Sequence, residues 1–133
     1  MLVFVDTNIL IYHLEATPDT GRSASARLGV LHLSGDRVVV SDLVRLECRV
    51  GPLKSADSTL LARYDGFFSL PGVEVVGLTA SVCDRAARIR AEHGFRVPDA
   101  LNLAAAVESD CGAFLTNDVR LTRFLDLAVE VLS

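Results

Sequence analysis

The apolar positions of this chain fall into two rhythms. Short runs with little polar alternation, at 2–5, 37–41, 73–76 and 113–116, read as buried strands, and 127–132 is a candidate fifth. Between them lie longer stretches with apolar residues at helical spacing: 9–14, 22–33, 42–50, 55–68, a segment from Thr79 to His93, and 98–109. Turn residues punctuate them. The Thr17-Pro18-Asp19 region closes the first, Ser34-Gly35 the second, and Gly51-Pro52 stops the third. Pro71-Gly72 closes the fourth and Gly94 follows the fifth. Strands alternate with helices throughout, which predicts an α/β fold, a parallel sheet covered by helices on both faces. No linker, repeat or low-complexity tract interrupts the pattern, so residues 1–133 are expected to form one domain.

The first strand runs straight into Asp6-Thr7-Asn8. Open α/β sheets bind ligands outside the carboxyl ends of their strands, so Asp6 stands where such folds do their chemistry. Asp also caps helices, and this stretch alone leaves that reading open. Asp118 repeats the arrangement, with apolar Phe114-Leu115, then Thr116-Asn117, then the acid; a plain turn is the alternative. Asp99 follows Pro98, which suits the first position of a helix, and gains from the helix dipole. The Ala-rich, almost uncharged helix after it should pack deeply and carry Asp99 close to the strand ends.

Glu47 is harder to explain on structural grounds. Leu43, Leu46 and Val50 read as the apolar stripe of its helix, and at about 100° per residue Glu47 lies only about 40° from Leu43. A carboxylate on a core-facing surface is costly unless it is paired or bound to a cation. The alternatives are a salt bridge to Arg45, Arg49 or another arginine, or a tilt of the helix that leaves Glu47 at the edge of that face. Four carboxylates in one cleft would raise each other's pKa unless a cation neutralised them. Oxygen-only ligands suit Mg²⁺ or Mn²⁺, which can activate water at a phosphodiester.

Composition narrows the chemistry. Net charge is −4, so a general positive field does not hold this protein to nucleic acid. Arginines outnumber the single Lys54 twelve to one; Arg45, Arg49, Arg85, Arg88 and Arg96 could steer a phosphate backbone, although for any single one a solvated helix face is the favoured reading. Cys48, Cys83 and Cys111 are odd in number and scattered, which favours buried, reduced thiols over disulfides or a thiolate metal site. His13, His32 and His93 are too dispersed for zinc. The sequence offers no Ser-His-Asp or Cys-His set and no GxxxxGK[ST] loop. Apolar runs too short for a bilayer, and a start without signal-peptide features, predict a soluble, cytoplasmic protein with no membrane association.

Four motifs then coincide: the strand ending in Asp6-Thr7-Asn8, Ser41 to Glu47, Pro98-Asp99-Ala100 opening an Ala-rich helix, and Leu115-Thr116-Asn117-Asp118. In that order and spacing the chain resembles the PIN-domain nucleases, above all the small toxin ribonucleases of the VapC type. The resemblance implies a three-layer α/β/α sandwich with a central, mostly parallel sheet of four to five strands. It implies Asp6, Glu47, Asp99 and Asp118 as catalytic, metal-binding acids using Mg²⁺ or Mn²⁺. Thr7, Asn8, Thr116 and Asn117 would be supporting polar residues, with Thr116 the hydrogen-bonding partner in the pocket. The implied activity is endonucleolytic cleavage of RNA, such as tRNA or ribosomal RNA, to inhibit translation. The implied partners are a small cognate antitoxin and a second copy of the chain in a homodimer.

The chain departs from the family pattern at one point. Many relatives carry a further acid shortly after the Asp118 position, whereas this chain reads Val119-Arg120-Leu121-Thr122-Arg123-Phe124. That leaves a second metal open. Two other readings compete. A haloacid-dehalogenase-type phosphatase wants a second Asp where this chain has Asn8. A receiver-like or degenerate PIN domain would hold Mg²⁺ without cleaving RNA, but all four acids are present.

Overall fold

The computed structural model describes residues 1–132. Five strands, β1 (Leu2–Val5), β2 (Arg37–Ser41), β3 (Val73–Val76), β4 (Ala113–Thr116) and β5 (Ala128–Val131), form one sheet in the order β3-β2-β1-β4-β5. Every neighbouring pair is parallel. The helices are α1 (Thr7–Leu14), α2 (Thr20–Leu33), α3 (Asp42–Lys54), α4 (Ser58–Phe68), α5 (Ala80–His93) and α6 (Val97–Glu108). A 3-10 turn, Val119–Arg123, leads from β4 to β5.

The chain steps outward from β1 to β2 and β3, then returns to the other side of β1 for β4 and β5. Right-handed crossovers therefore set α1–α4 over one face and α5–α6 over the other. This is the three-layer sandwich expected, with an all-parallel sheet. The reversal between β1 and β4 is a topological switch point, where the strand ends splay apart into a crevice.

Burial follows position in the sheet. Val3, Phe4, Val5, Val39, Val40, Phe114 and Leu115 are buried, while the edge strands β3 and β5 are only partly covered. Phe4 and Phe114 are register partners whose rings stack 5.0 Å apart. That contact anchors β1 and β4 two residues before Asp6 and Thr116.

Helix α3 departs from the sequence reading twice. It does not stop at Gly51-Pro52 but continues to Lys54. Pro52 lies in the last turn, where its missing N–H costs one bond at most, and its ring is buried. The Ser55 amide bonds the Gly51 carbonyl at 3.0 Å and the Asp57 amide bonds the Pro52 carbonyl at 2.9 Å, so α4 starts only at Ser58.

The buried row of α3 is Val44, Cys48 and Pro52, while Leu46 and Val50 of the expected stripe are exposed and Leu43 is half-buried. Ser41 sets this rotation. It is fully buried, caps α3 by accepting the Val44 amide at 3.2 Å, and donates to Asn102 Oδ1 on α6 at 2.6 Å. Its face of the helix must point inward, and Glu47 flanks that face, half-buried.

Smaller differences have equally local causes. Helix α6 begins at Val97, with Pro98 in its second position, where the first-turn amides lack intrahelical partners in any case. Cys48 and Cys111 are buried free thiols, but Cys83 is exposed because Val82, Ala86 and Ile89 form the inner face of α5. Thr79 caps α5 through the Val82 amide at 3.2 Å, and Gly94 ends it at φ 71°, a conformation glycine adopts without strain. Among the described residues no helix is long and apolar enough to cross a membrane.

Since Ser41 joins α3 to α6, Ser41→Ala leaves the Val44 amide uncapped and the Asn102 carbonyl oxygen without its donor. We expect urea denaturation to show a loss of about 1–3 kcal/mol with an unchanged m-value. Parental stability would contradict this account of how the two helices are registered.

Candidate active site

Asp6 follows β1 directly and its amide extends the ladder to the Leu115 carbonyl at 2.9 Å. The same residue caps α1: its Oδ1 accepts the Thr7 amide at 2.9 Å. Across the switch point β4 ends at Thr116, which is fully buried. The Thr116 hydroxyl donates to Asp6 Oδ2 at 2.7 Å and accepts the Asp118 amide at 3.1 Å. One side chain thus ties the ends of the two central strands together.

The other acids arrive from the two helix layers. Glu47 on α3 accepts a 2.7 Å hydrogen bond at Oε1 from the Thr7 hydroxyl, with no ion pair to Arg45 or Arg49; Arg49 pairs with Asp65 instead. Asp99 sits in the first turn of α6, and Arg96 Nε approaches its Oδ2 at only 3.5 Å. Asp118 caps the 3-10 turn and faces Arg120.

All four acids line one cleft of about 200 Å³, together with Thr7, Asn8 and Asn117. Thr116 lies beneath it. Asn8 and Asn117 bond each other at 3.3 Å, and Asn117 also donates to the Tyr12 hydroxyl at 2.9 Å. Among the described residues no three acidic, histidine or cysteine side chains converge tightly enough to chelate one ion in the conformation seen. The acids share a cleft but are not drawn onto a common point.

The carboxylates differ in their electrostatics. Burial pushes the Asp6 carboxyl up to about 6, and the nearby charges of Asp99 and Glu47 add to the rise. The hydrogen bonds from Thr116 and Thr7 offset it only in part. Asp118 moves the other way: hydrogen bonds from the Arg120 guanidinium hold its carboxyl below the usual carboxylate range. Burial pushes the Cys48 and Cys111 thiols up to about 12, which leaves neither of them a nucleophile at neutral pH.

Three cleft features escaped the sequence reading. Asn102 lines the cleft one turn after Asp99 and was detectable as the lone polar residue in an otherwise apolar segment. Tyr12 enters through Asn117, and nothing in its local pattern announces that. Arg120 engages Asp118 from two residues away, a pairing the sequence allowed but did not require. Of the five arginines considered for steering, only Arg96 lines the cleft; Arg85 pairs with Glu108 at 2.9 Å.

A family model described as PIN domain matches residues 3–126. No curated protein matches the chain by sequence. Among solved structures, a VapBC2 complex from Rickettsia felis bound to a DNA fragment from their promoter is similar over 100% of both chains, at TM-score 0.82 and 22% identity. DNA-bound VapBC from Salmonella typhimurium is similar over 98% of both chains, at TM-score 0.79 and 23% identity. VapC20 from Mycobacterium tuberculosis, a Sarcin-Ricin loop cleaving toxin, is similar over 84% of this chain and 86% of that one, at TM-score 0.68 and 18% identity.

The raised Asp6 carboxyl has a consequence for stability. Its ordinary value is 3.8 and its value in the fold about 6, so between these the unfolded chain ionises first. Stability therefore falls as pH rises through that window, by on the order of 2–3 kcal/mol in full at about 1.4 kcal/mol per pH unit. Asp6→Asn should remove this cost. Without divalent metal, at about pH 7.5, the variant should unfold at higher urea than the parent, with the gap closing towards about pH 4. An Asn variant less stable at every pH would show that the carboxylate is structural.

Proposed function

This chain belongs to the PIN domain family, and on that footing we propose that it is a metal-dependent endoribonuclease, the toxin of a VapBC-type pair. The observation that carries the reading is the gathering of Asp6, Glu47, Asp99 and Asp118 around one cleft at the switch point, with Asp6 held as a poorly compensated anion. As structural residues Asp6, Glu47 and Asp99 would be a poor choice, since like charges in a recess destabilise the fold. As ligands they suit a hard divalent cation, Mg²⁺ or Mn²⁺.

The donor chemistry fits such an ion. Asp6, Glu47 and Asp99 each retain carboxylate lone pairs that no hydrogen bond uses. Thr7 and Thr116 orient Glu47 and Asp6, and Asn8 and Asn117 brace the strand ends. A bound cation would lower the pKa of a water and neutralise charge developing on a phosphodiester. The protein's own work is to fix the carboxylates beforehand and to exclude competing nucleophiles: its histidines lie outside the cleft and its buried thiols stay protonated.

RNA is the substrate class we assign, with tRNA and ribosomal RNA as the first targets to test and inhibition of translation as the outcome. The VapC20 likeness supports that choice through what that toxin cleaves. A small antitoxin as partner rests on the likeness to VapBC complexes. A homodimer, a single domain over residues 1–133 and a cytoplasmic location complete the reading.

Purified protein incubated with a panel of tRNA and ribosomal RNA should cut at discrete sites with Mg²⁺ or Mn²⁺ and not with chelator. Asp99→Asn, purified identically, should be slower by at least about 100-fold. Equal, metal-independent behaviour of the two proteins on every RNA would favour a non-catalytic binding domain instead.

A further inference from the structure

The four acids are unequal in what they can still bind. A carboxylate offers about four lone-pair directions. At Asp118 both oxygens are engaged by three N–H groups of one residue, the single Nε proton being shared between them. Its Oδ1 accepts the Arg120 amide at 3.0 Å and Arg120 Nε at 3.0 Å, while Oδ2 accepts Nε at 3.2 Å and Nη2 at 2.5 Å. By contrast Asp6 accepts one bond on each oxygen, Glu47 only one in all, and Asp99 only a long 3.5 Å contact from Arg96.

The two arginines also differ in how firmly they are placed. Both side chains are largely exposed, Arg96 at 71% and Arg120 at 59%, but Arg96 makes only that single long contact. Arg120 is anchored by its own amide and its guanidinium grips the carboxylate as a two-pronged fork, the geometry in which arginine binds carboxylates most firmly. It does not itself line the cleft, so it reaches Asp118 from the rim while leaving the recess open.

Resting on the metal-dependent reading above, we propose that Arg120 is a built-in counter-cation that withholds Asp118 from metal, so that the cleft holds one divalent ion on Asp6, Glu47 and Asp99. Where a second ion would need Asp118, the fold supplies a guanidinium. Arg120 is thus a positioning residue that sets metal stoichiometry.

The test counts bound Mn²⁺ by electron paramagnetic resonance and by calorimetric titration, on the full chain, with circular dichroism to check folding. The parent should bind one Mn²⁺ per chain. Asp99→Asn should weaken its affinity by about tenfold or more. Arg120→Ala should gain a second equivalent, and Asp118→Asn combined with Arg120→Ala should return to one. Two equivalents in the parent, or one in both the parent and Arg120→Ala, would overturn the proposal while leaving the metal-dependent reading standing. No Mn²⁺ binding by any of the proteins would overturn both.

Discussion

Asp6 ends the central strand, and the two groups that hold its carboxylate, the Thr116 hydroxyl and the Thr7 amide, are both neutral. Neutral donors orient an anion without cancelling its charge. The fold therefore keeps a carboxylate with a raised pKa at the point where its two halves diverge. Much of the remaining architecture follows from holding that group still. The stacked Phe4 and Phe114 rings clamp β1 to β4 just below it, and Thr116 spans the strand ends. Ser41 and Asn102 join α3 to α6, the helices that bring Glu47 and Asp99. An acid cluster costs stability, so the core has to supply the rigidity that holds it together.

Threonine recurs in this arrangement for a simple reason. Its hydroxyl donates one hydrogen bond and accepts others, so one side chain can serve two partners. Thr116 gives its proton to Asp6 and receives the Asp118 amide; Thr7 gives its amide to Asp6 and its hydroxyl to Glu47. Three of the four acids are connected through these two residues. Asp99 is held by none of these bonds and depends on the depth of α6, whose Ala104, Ala105 and Ala106 are completely buried.

The strands and most helices were legible because short apolar runs and helical spacing both report burial, and here burial is uniform along each central element. Asp6 and Asp118 could be placed at strand ends for the same reason. For Glu47 the apolar stripe pointed to the wrong helix face. The larger side chains Leu46 and Val50 suggested the inner face, whereas the buried Ser41 hydroxyl turned the smaller Val44 and Cys48 inward. Hydrophobicity alone cannot see a polar anchor that fixes a helix's rotation. Pro52 misled similarly, since a proline in a last turn costs little when the helix is ending anyway. The grip of Arg120 on Asp118 depends on a 3-10 turn whose existence no periodicity announced.

The central claim is that this cleft exists to hold a divalent cation. Crystals grown with Mn²⁺ and measured at a wavelength where manganese scatters anomalously test it most directly. The account predicts an anomalous peak inside the cleft, within coordinating distance of Asp6 and Asp99. Well-ordered crystals at saturating Mn²⁺ with no peak among these carboxylates, or with manganese only elsewhere on the surface, would contradict it.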